Sequence, residues 1–291
     1  MERKARMDAL GAVMLITFAL HLAFNQVVVK VTGGGFGPVF QAGLRSAGGV
    51  AVLVLWMAWR GGAVRMARGA WAGGTVAGAL FALEFMCLFT ALDLTTVSRS
   101  SVIFYSMPVW LALAAHFLIP GERLSGLRVL GLALAMGGVA LAVLDRGAGA
   151  GSLLGDLLAL VAALCWAGIA LCVRVTRLSD VPPAEQLMWQ LVVSAPLLLL
   201  AAPLMGDLFR APEAIHWAGL AFQIVAVASL GFLAWFWLMK RYPASDVAAF
   251  SFLSPVFAVL LGWLLLSEEV ALSVWAALVL VAAGVFLINR R

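Results

Sequence analysis

Two charges stand deep inside long apolar runs of this 291-residue chain, Arg45 and Glu84. A charged side chain at the centre of a bilayer costs at least ~3 kcal/mol, so each must face protein or water and seek a partner. The chemistry they offer is an anchor for a carboxylate at Arg45 and a proton-linked carboxylate at Glu84. The alternative is a structural ion pair that locks two helices. His21, Asn25, Gln41 and Gln190 are further polar residues within apolar runs, with Gln186 and Gln223. A histidine changes charge near physiological pH, which suits His21 to proton coupling; an amide or imidazole zipping helices together is the competing reading. Tyr105, Trp166 and Phe252 lie far from the run ends where aromatic residues usually form an interface belt. With Ser254 they would line a pocket that holds an apolar group or, by cation–π attraction, a cation; plain packing is the competing reading.

Other chemistries find no residues. Cys87, Cys165 and Cys172 are odd in number and all fall in apolar runs, which gives no disulfide framework and no metal motif. None of the lysines, Lys4, Lys30 and Lys240, follows a glycine as a P-loop requires. No cofactor, metal or nucleotide site is therefore expected, and the +5 charge needs no nucleic-acid partner.

These residues must be positioned by membrane helices. The chain is 64% hydrophobic and 11% charged, with mean hydropathy +1.07, against roughly 25% charged in soluble domains. At about 20 apolar residues per span, ten spans are expected: 8–31, 37–59, 70–92, 97–118, 126–145, 153–175, 184–205, 215–239, 245–266 and 272–289. Fourteen of the 19 Lys and Arg fall in loops of one side and four on the other, Arg45 being within a span. The excess places both termini in the cytoplasm. Arg45 and Glu84 then lie about 12 Å deep on neighbouring antiparallel spans, where their side chains could meet.

One stretch occurs twice. Ser106-Met107-Pro108 is followed fourteen residues after the proline by Glu122, and Leu253-Ser254-Pro255 fourteen residues after by Glu269. Proline inside an apolar helix removes a backbone hydrogen bond and clashes with the preceding turn. In lipid such a break belongs beside a protein-lined cavity, and its recurrence in both halves points to a transporter site. Pro108 and Pro255 are accordingly read as helix breaks that take part in gating, flanking one midplane cavity, and the glutamates as structural ends. The halves align throughout: Gln41 matches Gln186, Arg45 matches Gln190, Gly137 matches Gly284. Five spans per half is odd, so the second repeat, 149–291, is inverted relative to the first, 1–148. Glycines such as Gly131 and Gly284 let helices approach closely, and Gly33-Gly34-Gly35 reads as a flexible turn.

Two five-span repeats carrying these proline and glutamate motifs, with Trp166-Ala167 in the sixth span, resemble the EamA-type members of the drug/metabolite transporter superfamily along essentially the whole chain. Leu22-Ala23 stands where that family often has Trp-Ala. The resemblance implies a secondary carrier and no enzyme, and is nearest to the amino-acid exporter branch. The expected fold is an all-α integral membrane protein in the inner (plasma) membrane. The expected function is export of small metabolites, foremost aromatic or other neutral amino acids, by alternating access. The alternatives are a multidrug or cation exporter of the same fold, or a lipid-modifying membrane enzyme. Its expected partners are a small-molecule substrate and the lipid bilayer, with a monomer as the expected state.

Overall fold

The structure, a computed structural model, describes residues 8–59, 66–119, 121–122, 124–145, 151–231, 234, 238, 241–242 and 253–289. Among these, eight helical segments are long and apolar enough to cross a membrane, with mean hydropathy from 1.4 to 2.3. Lipid offers no hydrogen bonds, so apolar runs of this length close their backbone groups within helices. The segments are α1 (Ala9–Thr32), α2 (Pro38–Trp59), α3 (Trp71–Leu94, led in by a 3-10 turn at Arg68–Ala70), the pair α4 (Val97–Phe104) and α5 (Met107–Leu118), α6 (Gly126–Leu144), α7 (Leu153–Val175), α8 (Pro183–Ala201, extended by a 3-10 turn at Ala202–Leu204), and α9 (Ala214–Phe222), which continues as a π-helix at Gln223–Gly231. Two shorter apolar helices follow, α10 (Leu253–Leu266) and α11 (Leu272–Asn289). They fall in the expected ninth and tenth spans. Residues 245–252 of the ninth, Phe252 among them, lie outside the described residues.

The expected fourth span is two helices. Pro108 has no N–H to return to the carbonyl of Phe104, and α4 stops there. Two tight bonds carry the chain across the gap, from Ser106 N to Ile103 O (3.2 Å) and from Val109 N to Ser106 O (2.9 Å). Each spans three residues instead of four, and α5 restarts with Pro108 in its first turn, where a missing N–H costs nothing. Pro255 is likewise near the start of a helix, as the third residue of α10.

The chain forms two compact units, and each takes segments from both sequence halves. The first comprises Met1–Val27, Ala91–Leu164 and Ala234–Arg291; the second comprises Val28–Thr90 and Cys165–Leu233. The chain passes from one unit to the other within α1, α3 and α7.

In the first unit α6 and α11 pack most extensively. A Cβ on Gly131 would lie 2.7 Å from the Gly284 carbonyl oxygen, and one on Gly284 would lie 2.4 Å from that of Gly131. Gly138 approaches the Ala277 carbonyl in the same way, at 2.8 Å. Val139, Val281 and Val285 fill the space beside these contacts, against Val102 and Ile103 of α4. In the second unit α2 packs on α8, with Gly43 so close that a Cβ would meet Leu199 at 2.8 Å.

The Gly33–Gly35 turn differs from expectation, because it is held at several points. Gly37 N donates to Leu208 O (3.0 Å), Arg210 N to Gly35 O (2.8 Å), and the Arg210 guanidinium to Gly33 O (3.2 Å). Phe36, fully buried, stands edge-on to Trp217 with ring centres 4.9 Å apart. The glycines serve a close approach: a Cβ on Gly35 would meet the His216 ring at 2.5 Å.

Repeat alignment pairs Gly137 with Gly284, yet Gly137 is exposed and has open space around its Cβ position. Gly284→Leu should therefore overpack α6 against α11 and destabilise by about 1–3 kcal/mol or more. Gly137→Leu should leave the midpoint nearly unchanged. Thermal unfolding of the two purified variants in detergent checks the contrast.

Candidate functional site

In the second unit, α2 carries Gln41 and Arg45 one turn apart, so both point from one helix face. Arg45 is 4% exposed, and its guanidinium carbon lies 4.2 Å from the centre of the Phe85 ring and 5.9 Å from that of Phe89. Phe81, Phe85 and Phe89 stand edge-to-face along α3 at four-residue spacing. The π-faces of this ladder stabilise a desolvated cation. Glu84, also 4% exposed, is the charge that acts on Arg45. The two do not close into the structural pair that was one reading of the sequence. Arg45 Nε and Glu84 Oε2 are buried with no hydrogen-bond partner among the described residues. A cation and an anion that attract each other and still carry unused hydrogen-bonding atoms can receive a third molecule with charges of both signs.

Gln41 follows the competing reading, an amide that ties helices together. Its side-chain nitrogen donates to Val29 O (3.2 Å) and to Gln223 Oε1 (3.2 Å), and Gln223 donates onward to Thr32 Oγ (3.2 Å). This amide chain joins the end of α1, α2 and the start of the π-helix; only the Gln41 Oε1 atom lacks a partner. Gln186, its repeat mate, donates to Val181 O (3.1 Å) within its own helix start. Gln190 on α8 and Trp166 on α7 are half-buried. The thiols of Cys87 and Cys165 are buried and free, and Cys165 is within electrostatic reach of both Cys87 and Glu84.

In the first unit the polar groups gather at the α4–α5 break. The Tyr105 side chain, between the two helices, hydrogen-bonds with the side chains of Gln26 on α1 and Ser254 on α10. Ser106 Oγ donates to Ile103 O (2.6 Å) and accepts from the Trp110 indole (3.0 Å). Asn25 is 8% exposed beside Gln26, and His21 is half-buried one turn earlier. Tyr105 and Ser254, named together in the sequence as pocket residues, thus meet at this break. Gln26 was not singled out, although the polar pair Asn25-Gln26 in mid-span was its signal. Phe252 is outside the described residues.

Two more polar centres in this unit were missed. Arg99, counted with the loop cations, is 2% exposed and pairs with fully buried Asp156 at 2.8 Å. Its guanidinium also donates to Asp145 O (3.0 Å) and Ala142 O, while Thr95 Oγ donates to Asp156 (2.9 Å). Asp156 stands in the first turn of α7, where the helix dipole favours a negative charge. Glu268, next to the expected Glu269, folds its carboxylate onto the start of α4. It accepts from Val97 N (2.6 Å), Ser98 N (3.0 Å) and Ser98 Oγ (2.7 Å). The run Ser98-Arg99-Ser100-Ser101 opening an apolar span was the available signal for both.

Residues 9–144 and 153–290 each match the EamA-like transporter family. The chain is 33% identical over 96% of its length to an uncharacterized protein of Pseudomonas aeruginosa, covering 93% of that protein. It is 26% identical to the uncharacterized transporter YoaV of Bacillus subtilis, with 72% of each chain covered. It also shares the fold of a protein known from its crystal structure, with a TM-score of 0.68 at 21% identity and 96% of each chain covered.

A buried ion pair loses most when only one partner is removed, since the other is left charged in an apolar site. Arg99→Met should destabilise by about 3–5 kcal/mol, Asp156→Leu comparably, and the double substitution by clearly less than the sum. Unfolding midpoints of the four proteins complete the cycle.

Proposed function

Because the chain belongs to the EamA-like transporter family, and is thus a multi-pass membrane transporter, we propose that it exports aromatic or other neutral amino acids, or similar zwitterions, by alternating access. The observation that carries this reading is the Arg45–Glu84 arrangement. A zwitterion brings a carboxylate that accepts from the guanidinium and an ammonium that donates to the carboxylate, so it supplies a partner for each of the two unused atoms, Arg45 Nε and Glu84 Oε2. Its transfer from water into this apolar surrounding is then compensated charge by charge. The aromatic ladder of Phe81, Phe85 and Phe89 beside the pair suits an apolar or aromatic side chain. In the same reading, the excess of cationic loops on one side supports cytoplasmic termini and residence in the inner membrane. A cation exporter of the same fold would use Glu84 and the aromatic rings but have no need of Arg45.

Counterflow in proteoliposomes tests this. Wild-type protein should show saturable exchange of neutral amino acids, and Arg45→Gln should lower it by roughly tenfold or more, the order of a lost charged hydrogen bond. Uptake of an organic cation that survives Arg45→Gln unchanged, with no amino-acid flux in the wild type, would replace the zwitterion by a cation. Glu84 is also the proposed coupling group for protons. Flux through Glu84→Gln should accordingly stop responding to an imposed pH gradient; a retained response removes Glu84 from that role. If the break at Pro108 serves gating, Pro108→Ala should reduce flux more than it reduces folded yield. Equal losses would assign the proline to folding.

A further inference from the structure

Buried polar atoms without a partner occur in both units, and on two helices of the first they are of one kind. The second unit has donors, Arg45 Nε and Trp189 Nε1, alongside the acceptors Glu84 Oε2 and Gln41 Oε1. On α1 and α4 of the first unit all of them are oxygens: Asn25 Oδ1, Gln26 Oε1, Ser100 Oγ and Ser101 Oγ. Their residues are 8%, 4%, 0% and 0% exposed. Each buried oxygen left without a partner is unfavourable, so four on two neighbouring segments call for a common occupant.

Two of them lie near one structural feature. Gln26 is fixed by its side-chain bond to Tyr105, the residue at which α4 ends. Ser101 lies one turn before it on the same face, its carbonyl accepting from Tyr105 N at 2.9 Å. Gln26 and Ser101 therefore lie toward the C-terminal half of α4, where the helix dipole presents negative potential, and Asn25 and Ser100 are their chain neighbours. None is a carboxylate, which argues against calcium and magnesium. Nitrogen and sulfur ligands are absent from the set, which argues against zinc and copper. Neutral oxygens at the end of a broken membrane helix match a hard monovalent cation.

We propose that the first unit binds a sodium ion, with Asn25, Gln26, Ser100 and Ser101 supplying side-chain oxygens from α1 and α4. The ion ties α1 to the half-helix α4 beside the break at Pro108. This assigns Asn25 to a coupling ion instead of to the substrate. The proposal is independent of which metabolite is carried, because it concerns ligand binding to the unit and not flux.

Thermal unfolding of the purified full chain in NaCl, KCl or choline chloride at matched ionic strength tests it. Sodium should raise the midpoint saturably, as a ligand of the folded state does, and potassium and choline should not. Ser101→Ala should move the sodium midpoint to concentrations on the order of tenfold higher, the size of one lost bond to a charge. Its melting in choline should stay near that of the wild type. Should Ser101→Ala fail to fold, Asn25→Asp provides the second arm, since it retains the oxygen and adds a negative charge, and its sodium midpoint should fall. Ser46→Ala, which removes a hydroxyl bonded to Ser194 in the other unit, should leave the sodium response unaltered. Equal melting in sodium and choline would overturn the site and leave ordered water as the occupant of the oxygens. Equal effects of sodium and potassium, or an unchanged midpoint in Ser101→Ala or Asn25→Asp, would overturn it as well.

Discussion

A helix of eight residues inside a membrane span cannot satisfy its own backbone. The first four N–H groups and last four carbonyls of any helix lack intrahelical partners, which leaves α4 almost all ends. Lipid cannot supply the missing bonds, so neighbouring protein must. At the leading end the Glu268 carboxylate takes the N–H groups of Val97 and Ser98, and the Thr96 hydroxyl takes that of Arg99. At the trailing end the Ser106 hydroxyl and two short-range turns take up carbonyls. The rest of the first unit follows from this need. Glu268 must be delivered by the loop after α10, which fixes α10 beside α4. Gly262 must be small, since a Cβ there would lie 2.5 Å from the Glu268 carboxylate.

The same demand explains where the two repeats agree and where they part. Thr95, just before α4, donates to Asp156 at the start of α7. Tyr242, 147 residues later, donates at 2.7 Å to Asp8 at the start of α1. Both acids sit at helix N-termini, where negative charge is favoured. The repeats thus share a tie between the end of one span and the beginning of another. Only the first adds a buried arginine; the position matching Arg99 is Asp246, outside the described residues. An internal duplication has been kept as geometry and altered in charge.

Much of this was legible in the chain. Apolar runs of about 20 residues and the spacing of Pro108 and Pro255 announced the helices, the repeat and the break in the fourth span. Arg45, Glu84 and Tyr105 stood out because charge or an aromatic hydroxyl in mid-span needs a reason. What could not be read were partners remote in sequence. Arg99 looked like a loop cation because Asp156, 57 positions away, is invisible to any local pattern. Glu268 and Glu269 are indistinguishable as letters; the turn at Ser267, with its positive φ of 53°, turns the first inward and leaves the second exposed. Repeat symmetry also misled. It equated Gly137 with Gly284 and Gln41 with Gln186, whereas packing gives the members of each pair different surroundings.

The contact of α6 with α11 has a bearing on ancestry. These are the final helices of the two repeats, and they meet at Gly131 and Gly284, carbonyl against glycine in both directions. Neither repeat contains the partner for its own last helix. A chain carrying one repeat alone would have to borrow that partner from a second copy of itself. Joining two repeats in one chain supplies the partner within the molecule, and it frees the two copies of the helix to diverge.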